Sequence, residues 1–405
     1  MQQQRNEAWE GTPKMTIGVL YGFRALMILL VCHFHIWQQS WLSQVYSLFG
    51  LQIDLDFLAR AGYMMVDGML LLSGFLLFLP YAREKAEGIP APGLKQFYTN
   101  RAARILPSYL VAIAVPFFLI ALPQHRYYNA SIMLKDVLTH LTFLFNFSRD
   151  TGLHTPLNAA LWTVAVEVQF YLIFPVLARM AQEKPAATFG IMGFFGVGFR
   201  LLVCAVVSDS SILVNQMTAF LDIYALGMFG AMLYLNLLEK QQETERMAKG
   251  KMKEGKKAFP LMPCLATLFF LLSLWGIGAL MKVQAGALGH EQIRVSQMVL
   301  RLPLGMLILC AMLSACFMWR PLQKVLDNRV MRFLAAISFH LYIWHQLISV
   351  ELRNLFFSEN LHGNRPQQIF YSLLCLGVSI LAAVAGTYWI EKPGAKLVRK
   401  IMRER

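Results

Sequence analysis

The chain has 405 residues, of which 57% are hydrophobic and only 15% charged. A soluble domain is closer to half apolar and a quarter charged, so this balance excludes an ordinary globular protein and indicates a polytopic membrane protein. The formal net charge of +14 would suit a nucleic-acid partner, but its distribution along the chain excludes that reading.

Apolar runs predict an all-α membrane bundle of about ten spans, at 16–37, 62–82, 104–122, 158–180, 186–207, 218–238, 259–282, 298–319, 330–350 and 367–390, forming one domain over 1–405. With the N-terminus inside, 26 of the 37 lysines and arginines fall on the cytoplasmic side and 7 outside, as the positive-inside rule requires. Both termini are then cytoplasmic. The charged loop 239–258 and the basic tail 392–405 are the strongest signals, and both suit contact with anionic membrane lipid.

The first span reads YGFRALMILLVCHFHIW over 21–37. Its N-terminal flank has balanced charge and no small-residue cleavage site, so a cleaved signal is not expected. Ionisable groups inside a span are costly and mark functional sites. Arg24 and His35 are 11 residues apart, which is about 1,100° of helix, or roughly 20° from the same face, and about 16 Å along the axis. His33 points to the opposite side.

The connection 38–61 alternates apolar residues and is expected to lie at the outer interface. In the second span Asp67 needs a partner in lipid, for which Arg24 is the candidate; the alternative is solvation near the headgroups. Arg101 and Arg104 are three apart at the cytoplasmic edge of the third span. That spacing fits anchoring to lipid phosphates as well as recognition of a phosphorylated ligand. Residues 131–147 have apolar positions at helical spacing and are expected to form an interfacial helix or re-entrant piece, with His140 structural.

The fourth span places Glu167 in mid-membrane, where it should face the bundle interior. Arg200, Asp222 and Arg301 lie near helix ends and read as structural. His340 and His345 fall in the ninth span, and Glu391 closes the tenth before Pro393. The six cysteines lie in spans without a CxxC, so neither disulfides nor a metal site is expected. Nucleotide-binding, zinc-hydrolase and serine-hydrolase motifs are absent, as is an H-x-x-x-x-D pattern.

Taken together, these polar positions resemble the acyltransferase-3 family of membrane O-acyltransferases. The resemblance covers nearly the whole chain. It rests on Gly22-Phe23-Arg24-Ala25 with His35; Val66-Asp67 with Ser73-Gly74-Phe75; Arg101, Arg104, Ile105 and Pro107; Trp162, Thr163, Glu167, Gln169, Phe170 and Tyr171; and Ile337, Ser338, Phe339, Tyr342, Trp344 and His345. Gly68 and Tyr21 depart from the family pattern. No hydrolase-like domain is fused within these residues, so the chain is expected to complete its transfer itself or to hand over to a partner transferase.

The resemblance implies an acyl-CoA donor, acetyl being the commonest, on the cytoplasmic side, and a hydroxyl acceptor on a cell-envelope glycan or similar molecule. It implies His35 as catalytic base or transient acyl carrier, and Arg101 and Arg104 as ligands of CoA phosphate. Arg24 would contact the donor or the Asp67 or Glu167 carboxylate. Glu167 and His345 would orient His35 or hold the acceptor, with Ser73, Trp162 and Tyr342 supporting. The alternative from a different class is a transporter or flippase of an acyl donor or lipid-linked sugar, although neither inverted repeats nor matched helix breaks are evident.

Overall fold

The computed structural model describes residues 15–253, 261–357 and 361–403. Ten of its helices are long and apolar enough to cross a membrane. They are built around α1 (Val19–Ser40), α2 (Met65–Glu87), α3 (Leu94–Pro116), α4 (Trp162–Glu183), α5 (Pro185–Val206), α6 (Leu221–Lys253), α7 (Leu261–Ala285), α8 (His290–Phe317), α9 (Arg329–Phe356) and α10 (Arg365–Ala385). An even number of crossings returns the chain to the side on which it began. A further helix, α11 (Lys392–Arg403), comes after α10 through a wide π-type turn at Gly386–Glu391.

All ten expected spans correspond to helices, and the differences lie at their ends. α3 begins at Leu94 rather than near 104, because hydropathy stops at Lys95, Asn100 and Arg101 while helix propensity does not. Arg101 and Arg104 therefore stand on a bundle helix and not in a connection. The charged segment 239–258 continues α6 as far as Lys253, and 254–258 lies outside the described residues. Of the tail 392–405, residues through Arg403 form α11.

Burial is uneven across the bundle. α2 is the most enclosed span and α7 the least. α2 packs closely on α6 through glycine: a Cβ on Gly227 would stand 2.1 Å from the Leu71 carbonyl oxygen. In lipid, where apolar burial does not draw helices together, such backbone approach is a main source of adhesion. α9 packs along α1, and this seam carries Arg24, His35, Ser338 and His345.

Two connections on the α1 C-terminal side are ordered. Val45–Leu48 and Leu51–Asp54 form an antiparallel hairpin, in place of the simple interfacial strip expected over 38–61. The amphipathic stretch forms the helix Ala130–Leu141, capped by the Asn129 side chain accepting from the Ile132 amide at 2.8 Å.

Candidate active site

A cavity of about 180 Å³ lies among α1, α2, α3, α4 and α9. Its polar lining includes Arg24, Ser73, Arg101, Arg104, Glu167, Tyr171 and Tyr342. These residues come from all five of the sequence blocks that carry the resemblance, so the fold brings together most of the residues expected at the site. Arg24 Nε donates to Ser338 Oγ at 2.7 Å, and that hydroxyl donates on to the Ala335 carbonyl at 2.8 Å. Tyr171 OH donates to Glu167 Oε2 at 3.0 Å. The Arg101 guanidinium stands 5.8 Å from the Tyr171 ring centre and 6.0 Å from that of Phe97.

The charge balance of this cavity is unusual for a membrane interior. Among the described residues, none of Arg24, Arg101 and Arg104 has a carboxylate within ion-pair distance, and the buried Arg101 Nε has no hydrogen-bond partner. Unmatched cations in a low-dielectric site cost several kcal/mol unless an anion joins them. Glu167 and Glu391 are close enough to act on Arg24 electrostatically, but without direct pairing.

His35 does not line this cavity. It lies further along the same α1–α9 seam, its ring centre 5.0 Å from that of His345, which in turn is 5.6 Å from Tyr342. The expected alignment of Arg24 and His35 thus holds: one meets Ser338, the other His345, seven residues on along α9. Tyr342, buried between these levels, separates cavity from imidazole pair. His35 Nδ1 is 3.0 Å from Gln38 Oε1; an amide oxygen only accepts, so Nδ1 carries the proton and Nε2 keeps its lone pair. His345 Nδ1 faces the Tyr342 and Leu341 carbonyls at 2.7 and 3.1 Å, and its Nε2 is buried with no partner among the described residues. His33 turns away from the seam to Gln44, at 2.6 Å.

Asp67 departs from expectation. Its partner is Arg301 on α8, with Nε 3.3 Å from Oδ1, and not Arg24. Arg301 also donates to the Val214 and Ala219 carbonyls at 3.1 and 3.2 Å and covers the Phe220 ring at 3.9 Å. Beside it Arg200 grips Asp222 through two bonds of 2.6 and 2.7 Å and donates to the same Ala219 carbonyl. Asp67 lies outside the cavity lining, in a compensated four-charge cluster. Trp162 stacks on Phe220 at 6.0 Å, which connects it to this cluster, and it too is absent from the lining. At Gly68 a Cβ would meet Met27 Sδ at 2.5 Å, so Met27 takes the space that a larger residue would fill.

The segment between α3 and α4 has its own polar core. His140 is fully buried, stacked on Phe145 at 3.9 Å, with Nδ1 2.9 Å from the Asp136 carbonyl. Asp136 Oδ2 accepts from Tyr127 OH at 2.9 Å and from Thr155 Oγ1 at 2.8 Å. Burial, with the Asp136 charge beside it, pushes the Tyr127 hydroxyl above its ordinary value. Gln169 holds this segment on α4 by donating to the Phe143 carbonyl and to Asn146 Oδ1 at 2.9 and 3.0 Å. The six cysteines are free thiols, and among the described residues no His, Cys, Asp and Glu group is placed to hold a metal ion.

Sequence reading gave Arg301 a structural place but not its partner, and it missed the contact between His340 and Glu391. For Arg301 a signal was present: spans two, five, six and eight carry two acids and two arginines, and equal numbers of opposite charges in lipid call for pairing.

A ten-span helical bundle with a polar cavity at its centre defines a multi-pass membrane protein with an internal site. Residues 19–384 match the family model described as an acyltransferase domain, and the chain belongs to the acyltransferase-3 family. It is similar to an uncharacterized protein of Haemophilus influenzae, with 32% identity over 126 residues, 29% of this chain and 50% of that protein. It is also similar to the peptidoglycan O-acetyltransferase OatA of Listeria monocytogenes, 28% identical over 38% of this chain and 23% of the relative. The O-acetyltransferase OatA of Staphylococcus aureus is 23% identical over 62% of this chain and 40% of the relative. The chain thus spans about half or less of the length of these relatives. No solved structure matches it.

Proposed function

We propose that this chain is a membrane O-acyltransferase that moves an acyl group, acetyl first among candidates, from acyl-CoA to a hydroxyl of a cell-envelope glycan. The observation that carries the reading is the cavity with three unpaired arginines, set on the same helix seam as a histidine pair, within an acyltransferase domain. The residues fit the donor: three guanidinium groups and an unpartnered Arg101 Nε suit phosphate oxygens, which accept forked hydrogen bonds. About 180 Å³ is too small for a whole coenzyme, so the thioester arm and the diphosphate at its far end enter, the diphosphate meeting the arginines, while the adenosine stays outside.

The donor comes from the cytoplasm, the side to which the charge distribution assigns Arg101 and Arg104. Its thioester reaches past Tyr342 towards His35, and the acceptor approaches from the opposite side of the membrane. His35 Nε2 takes the proton of the acceptor hydroxyl. The oxygen bonds to the thioester carbonyl carbon, the C–S bond breaks, and CoA leaves as thiolate, taking up the proton. His345 positions His35 across their 5.0 Å contact. Glu167, fixed by Tyr171, orients Arg24 by charge. Ser73 lines the donor path. Asp67 and Trp162 act through the Arg301–Phe220 cluster that fixes α2 against α8. The name of the Listeria relative is the support for a peptidoglycan-like acceptor.

Purified protein in nanodiscs, given radiolabelled acetyl-CoA and a panel of envelope glycan fragments, tests the reading. Acceptor-dependent release of free CoA with label on the glycan is the expected result. Retention of all label on CoA across the panel would overturn it and favour the transporter reading.

A further inference from the structure

Glu391 is a half-buried carboxylate that the proposed transfer does not use, and its surroundings are specific. The turn Gly386–Glu391 is π-type, adding a residue to the helical turn and so rotating the next segment by about 100°. It brings Glu391 Oε2 to 3.7 Å from His340 Nε2. His340 is fully buried and its proton is assigned by its neighbours: Trp344 Nε1, which can only donate, reaches Nδ1 at 3.3 Å, so the ring hydrogen is on Nε2. That hydrogen goes to Ser108 Oγ at 2.9 Å, the nearer acceptor. Glu391 Oε2 is therefore buried without a hydrogen bond among the described residues. A Cβ on Gly386 would lie 2.1 Å from His340 Nδ1, so this wide turn and this histidine require each other.

An orphaned carboxylate oxygen is expensive to bury, and such a group is tolerated where cations face it. Three residues beyond Glu391, Gly394 packs on α3, where an added Cβ would stand 2.4 Å from Pro107 Cβ, one turn from Arg104, and Glu391 is within electrostatic reach of Arg104, Arg24 and Lys392. Two of these line the cavity, and neither is bonded to a carboxylate.

We infer that Glu391, held by the His340–Ser108 pair on the π-turn, is an internal counter-anion to the Arg24–Arg104 site: it lowers the site's affinity for phosphate-bearing ligands and speeds their release. It rests on the reading of that cavity as an anion site but not on the identity of the donor. The sign comes from Coulomb's law: a carboxylate beside arginines opposes a second anion, so neutralising it strengthens anion binding. Glu391 is a positioning residue and not a catalytic one, because it acts through the two arginines.

The test measures binding of coenzyme A and of inorganic pyrophosphate to the detergent-purified protein, together with steady-state kinetics. Glu391→Gln is expected to bind both anions several-fold more tightly, to lower the apparent KM for the donor, and to lower kcat as release of CoA slows. A merely structural role would lower kcat without tightening either anion. Glu391→Asp draws the charge back by one methylene and is expected to give the same shifts at smaller size, which serves if the glutamine variant does not accumulate. Unchanged or weaker anion binding in both variants overturns the inference, as does a wild type that binds neither anion. A wild type that binds pyrophosphate but not coenzyme A overturns the donor assignment instead and leaves the counter-anion role standing on the pyrophosphate shift.

Discussion

Two groups of charges share the interior of this bundle. At the α2–α6–α8 contact, Asp67, Arg301, Arg200 and Asp222 are matched two against two, with bonds of 2.6 to 3.4 Å, and the Val214 and Ala219 carbonyls accept from the guanidinium groups as well. Around the cavity, Arg24, Arg101 and Arg104 have no carboxylate in direct contact among the described residues. The first group is balanced in charge by the protein itself and leaves no net charge for a ligand to match. The second calls for an anion from outside the chain. Intramembrane charge is therefore a site marker only after its partners have been counted; the cost of burial alone does not separate structure from function.

The largest effect is expected away from both groups. His35→Ala should lower acyl transfer by about 10³-fold, within the range for loss of a general base, while the protein still elutes as a folded species on gel filtration. Comparable activity in this variant would remove His35 from the chemistry. Within the compensated cluster, Arg301→Ala strands Asp67 and should reduce stability by about 3–5 kcal/mol, read as a lower thermal midpoint in detergent. The double change Asp67→Asn with Arg301→Gln should recover part of that loss. A variant pair that lost donor binding at unchanged stability would erase the contrast between the two groups.

How far the sequence carries this picture depends on the kind of interaction. The spans are legible because hydropathy over about twenty residues is a local property, and the Arg24–His35 alignment because a helix has a fixed period. Partners are not. Span order pairs Asp67 with Arg24, the cation of the preceding span, whereas tertiary packing sets it against Arg301, 234 positions away. Hydropathy starts α3 late because polar residues end an apolar window without ending a helix. Glu391 sits at a visible boundary, but nothing in the order GTYWIEKPG states that the turn is wide, and it is the width that aims the carboxylate inward.

The cavity group gives a smaller and more selective effect. Arg101→Ala and Arg104→Ala should each raise the donor KM by about ten- to a hundred-fold, the loss of one charge-assisted hydrogen bond, with the acceptor KM nearly unchanged. Arg101 is the sharper probe, since its Nε is buried without a partner and Tyr171 and Phe97 hold its guanidinium over their rings. Arg101→Lys keeps the charge but not the fork, and should lie between wild type and alanine. Equal weakening toward donor and acceptor would place this pair with the structural cluster.

The smallest effect is expected two residues from the largest. His33 is two residues before His35, on the far side of α1, where its Nε2 meets the Gln44 side chain at 2.6 Å. Removing it breaks one hydrogen bond at the foot of the Val45–Asp54 hairpin, a loss of about 1 kcal/mol, and touches neither seam nor cavity. His33→Ala should therefore keep acyl transfer within about two-fold of wild type while lowering the thermal midpoint slightly. If transfer instead fell as far as in His35→Ala, this hairpin would have to belong to the acceptor path, and helix phase would no longer separate the two histidines. Measured side by side, the pair isolates orientation from chemistry, because residue type, helix and depth are nearly the same in both.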